Sequence, residues 1–439
     1  MADLAPKELL PTTQPEVGIQ NSREFVQVGK EYTQIQEDDT PVIVVNPAHG
    51  NEPYILGTAI AREVSEQLTK KGMKKAKIVV PLMYGERQRR ILLEEHKDDP
   101  NLIYFDEEYG KILSNILFSS GNYADHLKQL TKHYDEVDRL LKQRFAVDAS
   151  QINARSLATG EITPLSPKNI IATVDTSASV LVTAPKRYFA FPVLLSEILR
   201  EAQKEGGMGF NETDMKKVIS RMMELESAYA QVFIPKINSL SFKYADNLSE
   251  QPDIIDGRQR RYTPAMKAEL TPTEGQVDKA GIYVMFSGTG ETKEQNEGLV
   301  KAAKDAGIEV YTPPWEEVKD SVKAPPEVLS DKNILAVFGR SGWGTGWQVQ
   351  NLAKPWLVTP YKEGDDPEIY FNNKTIEALK MGRVLKGRRI TPAELTNFIQ
   401  EISPGIQTLN TKLREEFGTL NGIRYVAEHI ANDLTRSRS

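Results

Sequence analysis

The chain alternates short β-branched runs with longer stretches in which apolar residues recur at helical spacing. The first strong run, PVIVVN over 41–46, has the unbroken apolar character of a strand buried on both faces. It stops at PAHGNEP. A helical pattern follows from Tyr54 to about Lys71, with Asn51 as its N-cap and Pro53 in its first turn. AKIVVPLMYG, over 76–85, is the next strand. The chain therefore opens as β-α-β, the unit of a parallel sheet.

From about 86 to 146 the text turns helical and charged. KNIIATVD (168–175) and VLVTAP (180–185) read as strands. RYFAFPVLLSEILREAQKEGG reads as a helix stopped by Gly206 and Gly207, and another helix covers 212–231 before the extended FIPKINSLSF. Residues 244–278 lose apolar periodicity and read as an interdomain linker. The same grammar then restarts. GIYVMF (281–286) is a strand, SGTGE a glycine turn, 292–306 a helix and IEVYTP a strand. NILAVFG (333–339), a short helix near 345–353 and WLVTPY continue the alternation, and the unit ends near 385. The tail is helical. The pattern predicts an α/β fold of two Rossmann-like domains facing a cleft, with C-terminal helices that cross back. The predicted divisions are a polar arm over 1–38, in which EFVQVGKEYTQIQ offers an edge strand, a first domain over 39–243, the linker over 244–278, a second domain over 279–390 and the helices of 391–439.

Composition narrows the class. The 439 residues are 39% hydrophobic and 26% charged, as in a soluble chain of two or three domains. No apolar run approaches the roughly 20 residues of a membrane span. The opening MADLAPKELLPTTQPE lacks the basic start and apolar core of a secretory signal, so a cytoplasmic protein is expected. The absence of cysteine excludes disulfides, thiolate nucleophiles and Cys-ligated zinc. The net charge of −6 gives no general attraction to nucleic acid.

The stretch AVFGRSGWGTGWQVQ, 336–350, holds Gly339, Gly342, Gly344 and Gly346 directly after a strand. A glycine-rich turn opening a helix presents free N–H groups and a positive helix end, which suits phosphate. Arg340, Ser341 and Thr345 add charge and hydroxyl donors, and no Asp or Glu occurs from 332 to 362. Tight packing turns are the other reading. The loop is neither GxxxxGK[ST] nor GxGxxG, which argues against an NTPase and an ordinary dinucleotide dehydrogenase. SGTGE offers a second glycine turn at a strand's carboxyl end, where ligands of open α/β sheets sit. Beyond WLVTPY, the acids Asp365, Asp366 and Glu368 precede Asn372 and Asn373, a set suited to sugar hydroxyls or to an exposed helix cap.

From 281 to 386 the order of these motifs resembles the donor half of the GT-B nucleotide-sugar glycosyltransferases, on the side of the inverting UDP-glycosyltransferases and bacterial cell-wall N-acetylglucosaminyltransferases. SGTG after GIYVMF looks like the family's first donor-domain loop. VFGRSGWGTGWQVQNLAKPWLVTPYKEGDDPEIYFNN looks like its signature, including the Lys354-Pro355 step. The resemblance implies that Ser287, Gly288 and Thr289 lie near the donor diphosphate, and that Gly342, Gly344 and Thr345 bind phosphate beside Arg340 and Ser341. It further implies that Glu368 and Asn372 face the donor sugar and that Trp315 stands near the base. Gln348 stands where the family has a ribose-gripping Glu, so that hydrogen bond carries no charge here.

His49, in NPAHGNEP at the end of the first strand, matches the family's loop for a catalytic base, and imidazole takes up protons near neutral pH. A structural histidine is the bland alternative. Asn51 and Glu52 are placed to orient it or to bind acceptor. His96, His126, His133 and His429 lie in charged helical text and read as surface residues, and no metal site is expected. The Asp-x-Asp of metal-dependent transferases is missing. The expected activity is inverting, metal-independent transfer of a sugar from a UDP-type nucleotide-diphosphate donor to a hydroxyl acceptor, with no cofactor. A nucleotide-sugar 2-epimerase and a non-catalytic nucleotide-sugar binder are the alternatives. KRYFAFPVLLSEILREAQ, with Lys186 and Arg187, reads as a core helix or as a surface for a membrane or lipid acceptor. Arg87, Arg89 and Arg90 form a solvated helix face or hold an anionic acceptor.

Overall fold

The computed structural model describes residues 39–117, 123–149, 151–176, 180, 182–206, 208–285, 293–316, 318–385 and 391–436. The predicted arm over 1–38, with its edge strand, and the SGTGE turn lie outside the described residues.

The first half is a ten-stranded sheet. Its strands in chain order are β1 (Val42–Asn46), β2 (Lys77–Pro81), β3 (Ile103–Asp106), β4 (Ile152–Ser156), β5 (Ile162–Leu165), β6 (Ile170–Asp175), β7 (Arg187–Ala190), β8 (Gln231–Pro235), β9 (Ile254–Ile255) and β10 (Arg258–Thr263). Across the sheet they run β5-β4-β3-β2-β1-β6-β7-β8-β10-β9. β3, β2, β1, β6, β7, β8 and β10 are parallel neighbours, and β4, β5 and β9 close the edges antiparallel. The helices are α1 (Asn51–Lys70), α2 (Gly85–Glu95), α3 (Glu107–Leu117), α4 (Tyr123–Arg144), α5 (Leu195–Glu205) and α6 (Glu212–Glu226).

The second half is a six-stranded parallel sheet of β11 (Gly281–Met285), β12 (Glu309–Thr312), β13 (Val322–Lys323), β14 (Ile334–Gly339), β15 (Trp356–Val358) and β16 (Gly382–Val384). Its order is β13-β12-β11-β14-β15-β16, with α7 (Lys293–Asp305), α8 (Trp343–Asn351) and α9 (Pro367–Ala378) between strands. α10 (Pro392–Phe417) and α11 (Gly422–Arg436) follow. In both sheets the order reverses beside the first strand, between β1 and β6 and between β11 and β14. Each reversal opens a crevice at the carboxyl ends of the strands, where such folds take ligands. The expected α/β architecture of two facing Rossmann-like halves is present.

The tail does cross back. α11 packs along α1, with Val426, Ala427, Ile430 and Ala431 in one core cluster with Ile60, Ala61 and Val64. Asp433 of α11 accepts from Lys186 Nζ (2.7 Å) and from the Tyr188 hydroxyl (2.7 Å), which pins the tail to the first sheet.

Five sequence expectations change. Gly50, at φ 108°, is the N-cap of α1, so Asn51 is its first helical residue; only glycine takes that backbone angle readily. The stretch RYFAFPVLLSEILREAQKEGG, 187–207, is not one helix. RYFA, buried at all four positions, is β7, and Pro192 separates it from α5, while 182–185 is not a strand. The segment 244–278 is not only a linker, because β9 and β10 complete the first sheet from within it. β10 reads RQRRYT, yet Arg260 is buried against Glu197, and that ion pair hides the charge which broke the periodicity. The basic pair Lys186–Arg187 forms no surface patch. Arg187 is buried on Asp175 (2.6 Å), and Ile198, Leu199 and Ala202 of α5 face the core, which leaves the membrane-facing reading of this stretch without its residues. Arg87 and Arg90 of α2 are exposed, as a solvated face requires.

Candidate active site

The four glycines of the loop after β14 have different jobs. A Cβ on Gly339 would collide with the carbonyl of Met285, so this glycine lets β14 close on β11. A Cβ on Gly346 would lie 2.8 Å from a ring atom of Trp356 and 2.9 Å from one of Trp343, so bare backbone there seats two buried indoles. A Cβ on Gly344 would lie 2.7 Å from Oε2 of Glu52. At Gly342 it would meet no described atom within 4 Å. Gly342 is the N-cap of α8, in ordinary extended backbone, and no side chain caps the helix. Uncapped first-turn N–H groups, with the helix dipole behind them, are the physical basis of an anion site. The packing reading thus holds for Gly339 and Gly346, while Gly342 has no packing role of that kind.

Around this helix start, Thr345 is in the first turn and 9% exposed, and Gln348 is half-buried one turn further on. Arg340 is bound to Asp365 at 2.5 Å, so its charge is already answered within the second half. Ser341 is wholly buried. Its hydroxyl donates to Ile369 O (3.3 Å), and its own carbonyl accepts from Asn372 Nδ2 (2.6 Å). Ser341 and Asn372, expected at the ligand, thus hold the loop to α9 from beneath. Asp366 caps α9 by accepting from Glu368 N (2.9 Å). Burial and the neighbouring Asp366 carboxylate push the Glu368 carboxyl up to about 8, against the opposing hydrogen bond from Asn372. A protonated Glu368 at neutral pH donates a hydrogen bond as well as accepting one. Trp315, just beyond β12, is 66% exposed, whereas Trp343, Trp347 and Trp356 are buried. Ser287, Gly288 and Thr289 lie outside the described residues.

On the opposite wall, β1 delivers the loop that carries His49. The loop is short because α1 starts at once behind Gly50. Gly50 N–H donates to the Tyr84 hydroxyl (2.6 Å), and the Tyr84 ring meets the His49 ring edge-on at 6.1 Å. His49 reaches solvent, but the cleft wall disfavours its charged form and lowers its pKa below the ordinary 6.5. The imidazole is therefore neutral, and able to accept a proton, at neutral pH. Asn51 accepts from the Tyr54 hydroxyl (3.3 Å).

The two walls meet. Glu52 of α1 lies on Gly344 of α8, and Trp343 Nε1 donates to Ser239 Oγ (3.0 Å). Tyr123 N–H at the start of α4 donates to Gly364 O (2.9 Å), which ties α4 to the loop before Glu368. These contacts bring the loop of His49, the start of α8 and the loop before Glu368 close to one another. Sequence reading missed two neighbours. His126 lies against Tyr123, with ring centroids 5.3 Å apart, and senses the charge of His49; burial and that charge lower its pKa to about 4. It is half-buried rather than fully exposed. His96 is not a surface residue at all, being 4% exposed beneath Arg62. His133 and His429 are half-buried, His429 against Tyr425. Nothing in the local text marks His126, whereas Tyr84 was findable as the residue beyond the strand next to β1.

The fold is shared with solved glycosyltransferases. UGT71G1 of Medicago truncatula, complexed with UDP-glucose, superposes with a TM-score of 0.53 at 12% identity over 91% of this chain and 99% of that one. Phytolacca americana UGT2, complexed with UDP-2fluoro-glucose and pterostilbene, gives 0.56 at 10% identity over 90% and 100%. Arabidopsis thaliana UGT89C1, complexed with UDP, gives 0.53 at 11% over 90% and 100%. Residues 326–430 match the family model described as the glycosyltransferase family 28 C-terminal domain. The chain has the two-domain GT-B fold of these glycosyltransferases, and its second half carries the match to a glycosyltransferase family model. A comparison with curated proteins finds no match. In this GT-B chain the family match takes in β14, α8 and α9, and so the glycine loop and Glu368, but not His49. Among the described residues no helix is long and apolar enough to cross a membrane.

Proposed function

We propose that this glycosyltransferase transfers a hexose, with inversion and without a metal ion, from a UDP-linked donor to a hydroxyl acceptor. One observation carries the reading. The loop of the candidate base lies beside the start of α8, through the contact of Glu52 with Gly344. The diphosphate binds the uncapped N–H groups behind Gly342 with Thr345, Trp315 covers the base, Gln348 takes a ribose hydroxyl and Glu368 the sugar. UDP and UDP-glucose in the structural neighbours support a uridine donor. In this arrangement the first half takes the acceptor and the second half the donor.

Neutral His49 accepts the proton of the acceptor hydroxyl. The oxygen attacks the anomeric carbon as the bond to the β-phosphate oxygen breaks, and nucleoside diphosphate leaves with its electron pair. α8 meets the developing charge with fixed N–H dipoles, in the role a metal ion plays elsewhere. Attack from the face opposite the leaving group inverts the anomeric centre. The test is release of UDP from UDP-glucose and UDP-N-acetylglucosamine with a panel of phenolic and sugar acceptors. His49→Ala is expected to lose turnover about a hundredfold or more while UDP affinity stays. Unchanged turnover removes His49 from the chemistry.

A further inference from the structure

Glu52 is the second residue of α1, and it enters the cleft from the acceptor wall. Its side chain lies flat on the bare Cα of Gly344: a Cβ there would be 2.7 Å from Oε2, 2.8 Å from Cδ and 2.9 Å from Cγ. The other oxygen, Oε1, is buried, accepts no hydrogen bond among the described residues and faces Lys267 Nζ at 3.6 Å. The stretch 332–362 contains no acid of its own. The fold nevertheless brings one carboxylate to the first turn of α8. A negative charge is favourable beside a positive helix end and unfavourable beside a second anion. Gly344, which resembled a phosphate-binding glycine, instead makes the seat for this carboxylate.

We propose that Glu52 sets the affinity of the site for nucleoside diphosphate. In the empty cleft it answers the start of α8, and with donor or product bound it repels the diphosphate, so that the nucleotide leaves readily after transfer. Lys267 keeps the carboxylate in place by holding Oε1. This inference rests on the donor reading above. It replaces the expectation that Glu52 binds acceptor.

The test compares UDP with uridine, which has the same base and ribose but no phosphate, by calorimetric titration of the full chain. Glu52→Gln keeps the shape and removes the charge. It is expected to tighten UDP by about threefold or more and to leave uridine unchanged. Gly344→Ala pushes the flexible carboxylate off the helix and is expected to tighten UDP similarly, and the double variant gains nothing beyond Glu52→Gln. UDP affinity that is unchanged or weaker in Glu52→Gln, or uridine affinity that moves in parallel, overturns the proposal and leaves the donor reading standing. Failure of wild type and variants alike to bind UDP overturns both.

Discussion

Replacing Gly342 with serine separates the two kinds of glycine in one experiment. Gly342 has φ −78° and ψ 139°, a backbone any residue adopts, and a Cβ there meets nothing described within 4 Å. Serine is a better N-cap than glycine by a few tenths of a kcal/mol, so stability should hold or rise slightly. The same hydroxyl would accept a first-turn N–H and take one donor from the diphosphate. A hydrogen bond to a charged group contributes about 1.5–3 kcal/mol, so UDP should weaken by about ten- to a hundredfold. Gly346→Ala is the contrast. Its Cβ would press on Trp356 and Trp343, and overpacking of that kind costs about 1–3 kcal/mol. At about 2–4 °C per kcal/mol for a domain of this size, Tm should fall by roughly 2–12 °C. Thermal unfolding with and without UDP reads both variants. A Gly342→Ser protein several degrees less stable, with UDP bound as before, would show Gly342 to be a packing residue and refute the assignment.

Other expectations follow from the same geometry. The lowered pKa of His49 places the acid limb of kcat/KM below pH 6.5, with activity lost as pH falls through it and a plateau near neutrality; His49→Ala should abolish that limb in a pH profile. Glu368 is protonated up to about pH 8 when folded and only to about 4.5 when unfolded, so its share of stability is full below 4.5 and lost as pH rises through 8. Glu368→Gln should therefore gain on wild type in Tm between pH 5 and pH 8, whereas an equal offset at both pH values would contradict the shifted carboxyl. Trp315→Ala, at an exposed position, should change stability by no more than about 0.5 kcal/mol while reducing the preference for UDP over other nucleoside diphosphates, measured by competition titration.

The parts of the fold visible in the sequence are those whose signal is local. PVIVVN, GIYVMF and NILAVFG announce themselves because central parallel strands are apolar on both faces, and observed β1, β11 and β14 fall within them. The glycine loop and the His49 loop were visible because both follow such strands. What stayed hidden depends on partners distant in the chain. β10 was obscured by Arg260, whose charge is met by Glu197 of α5, and β7 by the apparent continuity of RYFA with the helix beyond Pro192. The separate tasks of Gly339, Gly344 and Gly346 depend on Met285, Glu52 and Trp356, none of which a glycine motif encodes. His126 sits in charged helical text, and its place near His49 follows from the docking of α4 on the loop before Glu368.

The most direct test of the donor assignment is a crystal structure of the protein with UDP. The account places the diphosphate oxygens within hydrogen-bond distance of the backbone N–H groups at the start of α8, over Gly342, with the uracil against Trp315 and the β-phosphate facing the His49 loop. A diphosphate bound elsewhere, with the space over Gly342 empty, would contradict it.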